Sequence, residues 1–215
     1  MPEPTVTVRM KEGGTLTMST QNRKFPVRKL TVTAMLGAVA TVLMFISFNV
    51  PLMPSFIKLD LSELPALIAS FTFGPLWGVC VCAIKNLVNV FFSTTGGVGE
   101  LSNFLLGSTF VFFAGLLYKR MGGRKGALIG SLLGAACMAG ISVLSNYYIV
   151  YPVYTAFMPM ETILGMYRAI NPKVETLWDA LLWFNMPFTF IKGMLSVLIT
   201  FLIYKKISPL LKGKK

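Results

Sequence analysis

Residues 49–75 read NVPLMPSFIKLDLSELPALIASFTFGP, and the fold turns on this stretch. It joins two long apolar segments, yet it cannot itself be a plain membrane helix. Pro51, Pro54 and Pro65 lack an amide hydrogen and break or start helices. Lys58, Asp60 and Glu63 place three charges within six residues. Leu52, Met53, Phe56, Ile57, Leu59, Leu61 and Leu64 make the same stretch strongly apolar. Irregular backbone at membrane depth must be buried in protein or line a cavity. The stretch therefore reads either as a lid over a site among helices or as an interfacial connector with no ligand.

Outward from it the chain is apolar in long runs. Of 215 residues, 54% are hydrophobic and 13% are charged, against about 25% charged in a soluble domain. Mean hydropathy is +0.69. The expected fold is an all-α integral membrane protein, a bundle of six transmembrane helices with a capping loop after the first. The apolar segments fall at about 30–50, 61–73, 76–92, 101–118, 127–149 and 177–204. A spanning helix needs about 20 residues, so the second segment crosses only if tilted or started below the surface. Residues 1–24 are polar and Thr-rich and read as a poorly ordered cytoplasmic tail. Residues 25–215 read as the membrane substrate-binding domain. A further helical turn is expected around 162–169.

Several polar residues stand inside these segments. Lys85 and Asn89 are four apart and share a helix face. A Lys in mid-span is costly and faces a partner or a cavity. Asn185 and Lys192 are two helical turns apart and point the same way. Pro187 should kink the last helix or leave a carbonyl without a partner. Glu100 and Asn103 open the fourth segment after a Gly-rich turn; Glu100 alone could simply favour the positive helix end. Asn146 sits among Tyr147, Tyr148, Tyr151 and Tyr154, which read either as an interfacial belt or as the wall of an aromatic pocket. On the first helix Ala34, Gly37 and Ala38 form a small-residue face that lets another helix approach, in this protein or in a partner.

Charge settles the topology. The tail and its flank hold six Lys and Arg, the turn after the fourth segment four, and the C-terminus five; these are fifteen of the twenty. Six of the eight acids fall at the other side. The positive-inside rule then places both termini in the cytoplasm of a multi-pass protein. The net charge of +12 is topology, not a nucleic-acid patch. The loop after the first segment, the Gly-rich turn with Glu100, Asn146 with its tyrosines, and the upper part of the last helix converge on the outer end, as a site for an external solute requires. There is no His, no pair of catalytic carboxylates on one helix and no metal-ligand spacing, which weighs against an intramembrane enzyme. Cys80, Cys82 and Cys137 lie in apolar segments and suggest neither a disulfide framework nor a thiolate metal site.

The motifs PLMPSFIKLDLSELPAL (51–67), FGPLWGVCVCAIKN (73–86), TGGVGELSNFLLG (95–107) and NYYIVYP (146–152) closely resemble the riboflavin-binding S components of energy-coupling-factor (ECF) vitamin transporters, the RibU type. The resemblance covers about residues 28–206. It implies six helices in the bacterial cell membrane and a site near the outer face, capped by the loop at 51–59. It implies riboflavin as transported ligand, with FMN beside it, and no cofactor or metal. As partners it implies a transmembrane coupling protein and two cytoplasmic ATPases. It matches the docking AxxxA motif of the first helix to Ala34 and Ala38. By the same resemblance Asn146, Asn185 and Lys192 are expected to hydrogen-bond the ribityl chain or the polar edge of the ring. Leu52, Met53 and Tyr151 are expected to line its flat face. Lys85 and Asn89 either touch the ligand or form a structural polar pair with Glu100. An S component for another vitamin would keep this scaffold and change only the ligand; a stand-alone channel would pass ions without a partner.

Overall fold

The structure, a computed structural model, describes residues 6–10, 16–20, 27–51, 53–54, 57–93, 96–156 and 158–212, with side chains between 27 and 203. The chain divides into two units, Met1–Thr31 and Val32–Lys215. In the first, where the composition reads as a poorly ordered tail, β1 (Val6–Met10) and β2 (Leu16–Thr20) pair antiparallel with Val6 opposite Thr20. An isolated two-stranded hairpin is only marginally stable in water.

The second unit is helical. Its elements are α1 (Val27–Phe45, begun in the first unit), α2 (Glu63–Phe73), α3 (Pro75–Val90), α4 (Val98–Met121) and α5 (Gly123–Ser145). A π turn (Asn146–Val150) carries α5 into α6 (Tyr151–Tyr154). After α7 (Met160–Arg168), α8 (Leu177–Ala180) runs through a second π turn (Leu181–Asn185) into α9 (Met186–Lys212). Four runs are long and apolar enough to cross a membrane: Val27–Phe45, Val98–Met121, Gly123–Tyr154 and Leu177–Ile203. With the shorter α2 and α3 they make the six expected apolar segments. At 11 residues α2 is only about 16 Å long, against a hydrocarbon core of about 30 Å. It is instead the centre of the bundle. Glu63 to Phe71 are all buried, and α2 packs on α3, α4 and α9. A helix apolar on every side belongs inside.

Small residues set the spacing. A Cβ on Gly134 would stand 2.6 Å from the Phe110 carbonyl oxygen, and one on Gly130 2.6 Å from that of Ala114. Backbone cannot yield there, so α4 and α5 meet only because these positions are glycine. Gly134→Ala should therefore cost about 1–3 kcal/mol as overpacking. Gly140, with nothing within 4 Å of its missing Cβ, should accept alanine with no loss. Thermal unfolding of the two detergent-purified variants checks the contrast; equal midpoints would mean that the α4–α5 contact gives way.

Both π turns stand just before a proline, Pro152 and Pro187. The Tyr151 amide bonds the carbonyl of Asn146, and that of Met186 the carbonyl of Leu181, five residues back. Proline cannot supply the amide that a continuing α-helix needs; one wider turn re-registers the ladder ahead of it. The expected effect of Pro187 is thus a π turn, a device that often marks functional sites. Its counterpart at Pro152 has Asn146 at its start, while Asn185 ends the other.

The connection after α1 is pinned at its ends by β3 (Phe48–Asn49) and β4 (Lys58–Leu59), with Phe48 opposite Leu59. Met53 and Ile57 pack on a buried cluster that includes Tyr151, Ile163, Tyr167 and Phe184. The loop leans on one end of the bundle, as its apolar residues require.

Candidate functional site

A cavity of about 390 Å³ opens at that end, within the range of about 300–1,000 Å³ usual for small-molecule sites. Each neighbouring element gives it a few side chains. The end of α1 supplies Met44 and Phe45; the loop supplies Ile57, Lys58 and Asp60; the end of α3 supplies Asn89 and Phe92. The start of α4 adds Glu100, Ser102 and Asn103. The first π turn and α6 add Asn146, Tyr151 and Tyr154, and the last span adds Asn185, Phe188, Thr189 and Lys192. The lining thus interleaves aromatic rings with carboxamides, hydroxyls and charges. Such a surface suits a ligand with a flat ring and a hydroxylated or amide-bearing edge.

Of the residues singled out from the sequence, Asn89, Glu100, Asn146, Tyr151, Asn185 and Lys192 all line the cavity. Met53 lies in the adjoining apolar cluster rather than on the wall. Leu52 lies outside the described residues. The tyrosines divide: Tyr151 and Tyr154 face the cavity, Tyr147 stacks on Trp178 with ring centroids 4.6 Å apart, and Tyr148 is exposed.

Lys85 behaves differently from the expected pairing with Glu100. It is fully buried, stays off the cavity wall, and its Nζ lies 3.1 Å from Glu63 Oε1. The first turn of α2 lies beside α3 and brings Glu63 to it. Glu100 Oε2 instead accepts from the Ser93 hydroxyl at 2.7 Å. Asn89 Nδ2 donates to the Lys85 carbonyl at 2.8 Å, so the two are linked through backbone.

Lys192 joins the same cluster. Its Nζ is 2.9 Å from Asp60 Oδ2 and 3.4 Å from Glu63 Oε1. Ser62 bridges the rest: its hydroxyl donates to Asp60 Oδ1 and accepts from Lys85 Nζ, and its amide donates to Asp60 Oδ1 at 2.9 Å. Two lysines and two carboxylates thus tie the loop, α2, α3 and α9 together. Charges taken out of water persist only when paired and hydrogen-bonded. Burial would raise the Asp60 carboxyl, but the charges of Lys192 and Lys85 with the Ser62 hydroxyl outweigh it and hold it down at about 2. Asp60 and Lys192 form the part of the cluster that reaches the cavity.

A second network lies behind Tyr151 and Asn185 of the cavity lining. Tyr167 of α7 is fully buried. Its hydroxyl donates to Asn185 Oδ1 at 2.8 Å and meets the hydroxyl of Tyr151. Asn185 Nδ2 donates to the Tyr151 oxygen at 3.4 Å. Burial above all, with the neighbouring Tyr151, pushes the Tyr167 hydroxyl far above its ordinary range, so it keeps its proton.

Sequence reasoning gave Asp60 and Glu63 only a place in the loop and overlooked Tyr167. The signal for the two acids was available: two intramembrane lysines need two anions, and only the loop offered a pair nearby. Tyr167 sits in a short helix outside the apolar spans, where nothing in the pattern marks it.

The family model for the ECF transporter, substrate-specific component, matches residues 28–204. The chain belongs to this family. It is the substrate-binding S component of a transporter and not an enzyme. Among its relatives, the riboflavin transporter RibU of Staphylococcus aureus (strain TCH60) is 33% identical over 185 residues, spanning 86% of this S component and 93% of that protein. The riboflavin transporter FmnP of Bacillus subtilis (strain 168) is 32% identical over 192 residues, spanning 88% and 96%. A solved S component of a bacterial ECF transporter superposes with a TM-score of 0.70 at 32% identity, covering 87% of this chain and 99% of that one. The family match at 28–204 takes in all six apolar segments.

Proposed function

We propose that this S component captures riboflavin in the cavity between the loop and the helix ends, and releases it to the cytoplasm when coupled to an ATP-driven module. The observation that carries this reading is the cavity itself, lined by the aromatic rings of Phe92, Tyr151 and Phe188 together with Asn146, Asn185 and the Asp60–Lys192 pair. A flavin has a flat ring, a polar ring edge and a polyhydroxyl chain, and needs those features together. The names of the two relatives support the same ligand. In this reading Asn146, Asn185 and Lys192 hold the polar parts and Tyr151 flanks the ring. FMN is the second ligand to test, its phosphate reaching toward the exposed Lys58 at the cavity wall.

The distribution of basic residues supports a cytoplasmic location for both termini and an outward-facing cavity in the bacterial cell membrane. The partners of this reading are a transmembrane coupling protein and two cytoplasmic ATPases. Ala34 and Ala38 are exposed on α1, while Gly37 turns inward, where a Cβ would stand 2.8 Å from Ile84. Their exposure supports the reading that this face meets a second helix.

Titration of the detergent-purified protein with riboflavin, followed by quenching of flavin fluorescence, tests the ligand. One riboflavin per chain should be bound tightly. Asn146→Ala should weaken binding by about tenfold, the worth of one well-placed hydrogen bond. No quenching by the wild-type protein would move the substrate to another vitamin.

A further inference from the structure

Tyr167 does not line the cavity, yet it is hydrogen-bonded to two residues that do. The three hydrogen bonds form one closed ring. Tyr167 gives its only hydroxyl proton to Asn185 Oδ1. The bond between the two tyrosines must then be donated by Tyr151, whose oxygen in turn accepts from Asn185 Nδ2. A carboxamide has two donors on one side and one acceptor on the other. With its oxygen held by Tyr167 and one amide hydrogen on Tyr151, Asn185 retains a second amide hydrogen with no partner among the described residues.

We propose that Tyr167 is a positioning residue: it holds the carboxamide oxygen of Asn185 back from the cavity, so that the amide nitrogen faces the ligand and donates to an acceptor oxygen such as a ring carbonyl. This rests on the riboflavin reading above. It makes α7, which lies in the connection between the fifth and last segments, a determinant of affinity although it never touches the ligand. An Asn side chain without that anchor can turn over and present its oxygen, which repels a carbonyl. Nothing about the ring contact of Tyr167 with Phe184, centroids 5.3 Å apart, depends on the hydroxyl, so phenylalanine at 167 keeps the packing and removes only the bond.

A double-mutant cycle separates this role from a merely structural one. Riboflavin is titrated into wild type, Tyr167→Phe, Asn185→Ala and the double variant, with thermal unfolding of each in the absence of ligand. Tyr167→Phe should weaken binding by about tenfold in the wild-type background and should change nothing once Asn185 is alanine. The long-wavelength absorption band of bound flavin, which responds to hydrogen bonds at the ring carbonyls, should shift in Tyr167→Phe and Asn185→Ala alike. Equal losses from Tyr167→Phe in both backgrounds, unaltered affinity in the wild-type background, or failure of Tyr167→Phe to fold would overturn the positioning role. Failure of the wild-type protein to bind riboflavin is a different result: it removes the riboflavin reading itself, and this inference with it.

Discussion

Glu63→Leu should destabilise the protein by about 3–5 kcal/mol, the cost of leaving a buried charge without its partner. Glu63 and Lys85 are both wholly inaccessible to solvent. The two lysines converge on one oxygen, Glu63 Oε1, so the change deprives both of an anion. Lys192 keeps Asp60 at 2.9 Å; Lys85 keeps the Ser62 hydroxyl as its hydrogen-bond partner among the described residues. The pair is not needed for stability as such, since a buried ion pair is often no better than apolar residues of the same volume. Glu63→Leu combined with Lys85→Met should accordingly recover most of the loss. Thermal unfolding of the three proteins in one detergent decides it. A single variant as stable as wild type would mean that water reaches the cluster; a double variant as poor as the single would place the damage in packing around Gly107 and Cys82, which border Glu63.

Ala38→Trp should leave riboflavin affinity within about twofold of wild type, a shift of under 0.5 kcal/mol, and abolish uptake in membranes that also hold the coupling module. The side chain of Ala38 is exposed and that of Ala34 one turn earlier is too, so tryptophan at 38 points away from the buried core. What it prevents is close approach of another helix, which small residues permit in lipid. The cavity draws on the far end of α1, at Met44 and Phe45, two turns away. Loss of binding together with transport would make this face part of the bundle's own packing. Transport at the wild-type rate would make it a lipid-facing surface with no partner.

The six apolar segments were legible because lipid leaves few choices: each run had to be a helix, and its length could be counted. The convergence of polar residues at one end was legible for a related reason, since Asn89, Asn146, Asn185 and Lys192 had no place against lipid. The pairing of Lys85 was not. Its partner is 22 residues away, and Asp60 and Lys192 are 132 apart; only the placement of α2 at the centre of the bundle brings them together. The division of the tyrosines was likewise beyond pattern. Tyr148 and Tyr151 are three residues apart, yet one is exposed and the other buried, because the π turn between Asn146 and Val150 shifts the faces that ordinary helical spacing would predict. Gly37 and Ala38 are neighbours on the same small-residue stripe, and only α3, through Ile84, decides which of them is taken up inside.

The balance of the cluster formed by Asp60, Glu63, Lys85 and Lys192 bears on energetics of another kind. A single elementary charge carried across a membrane gains or loses about 2.3 kcal/mol per 100 mV of potential. Two ammonium groups and two carboxylates sum to nothing. Carried as a unit along the membrane normal, the cluster has almost no net work done on it by the resting voltage, so that two buried lysines add almost no voltage dependence to such a displacement.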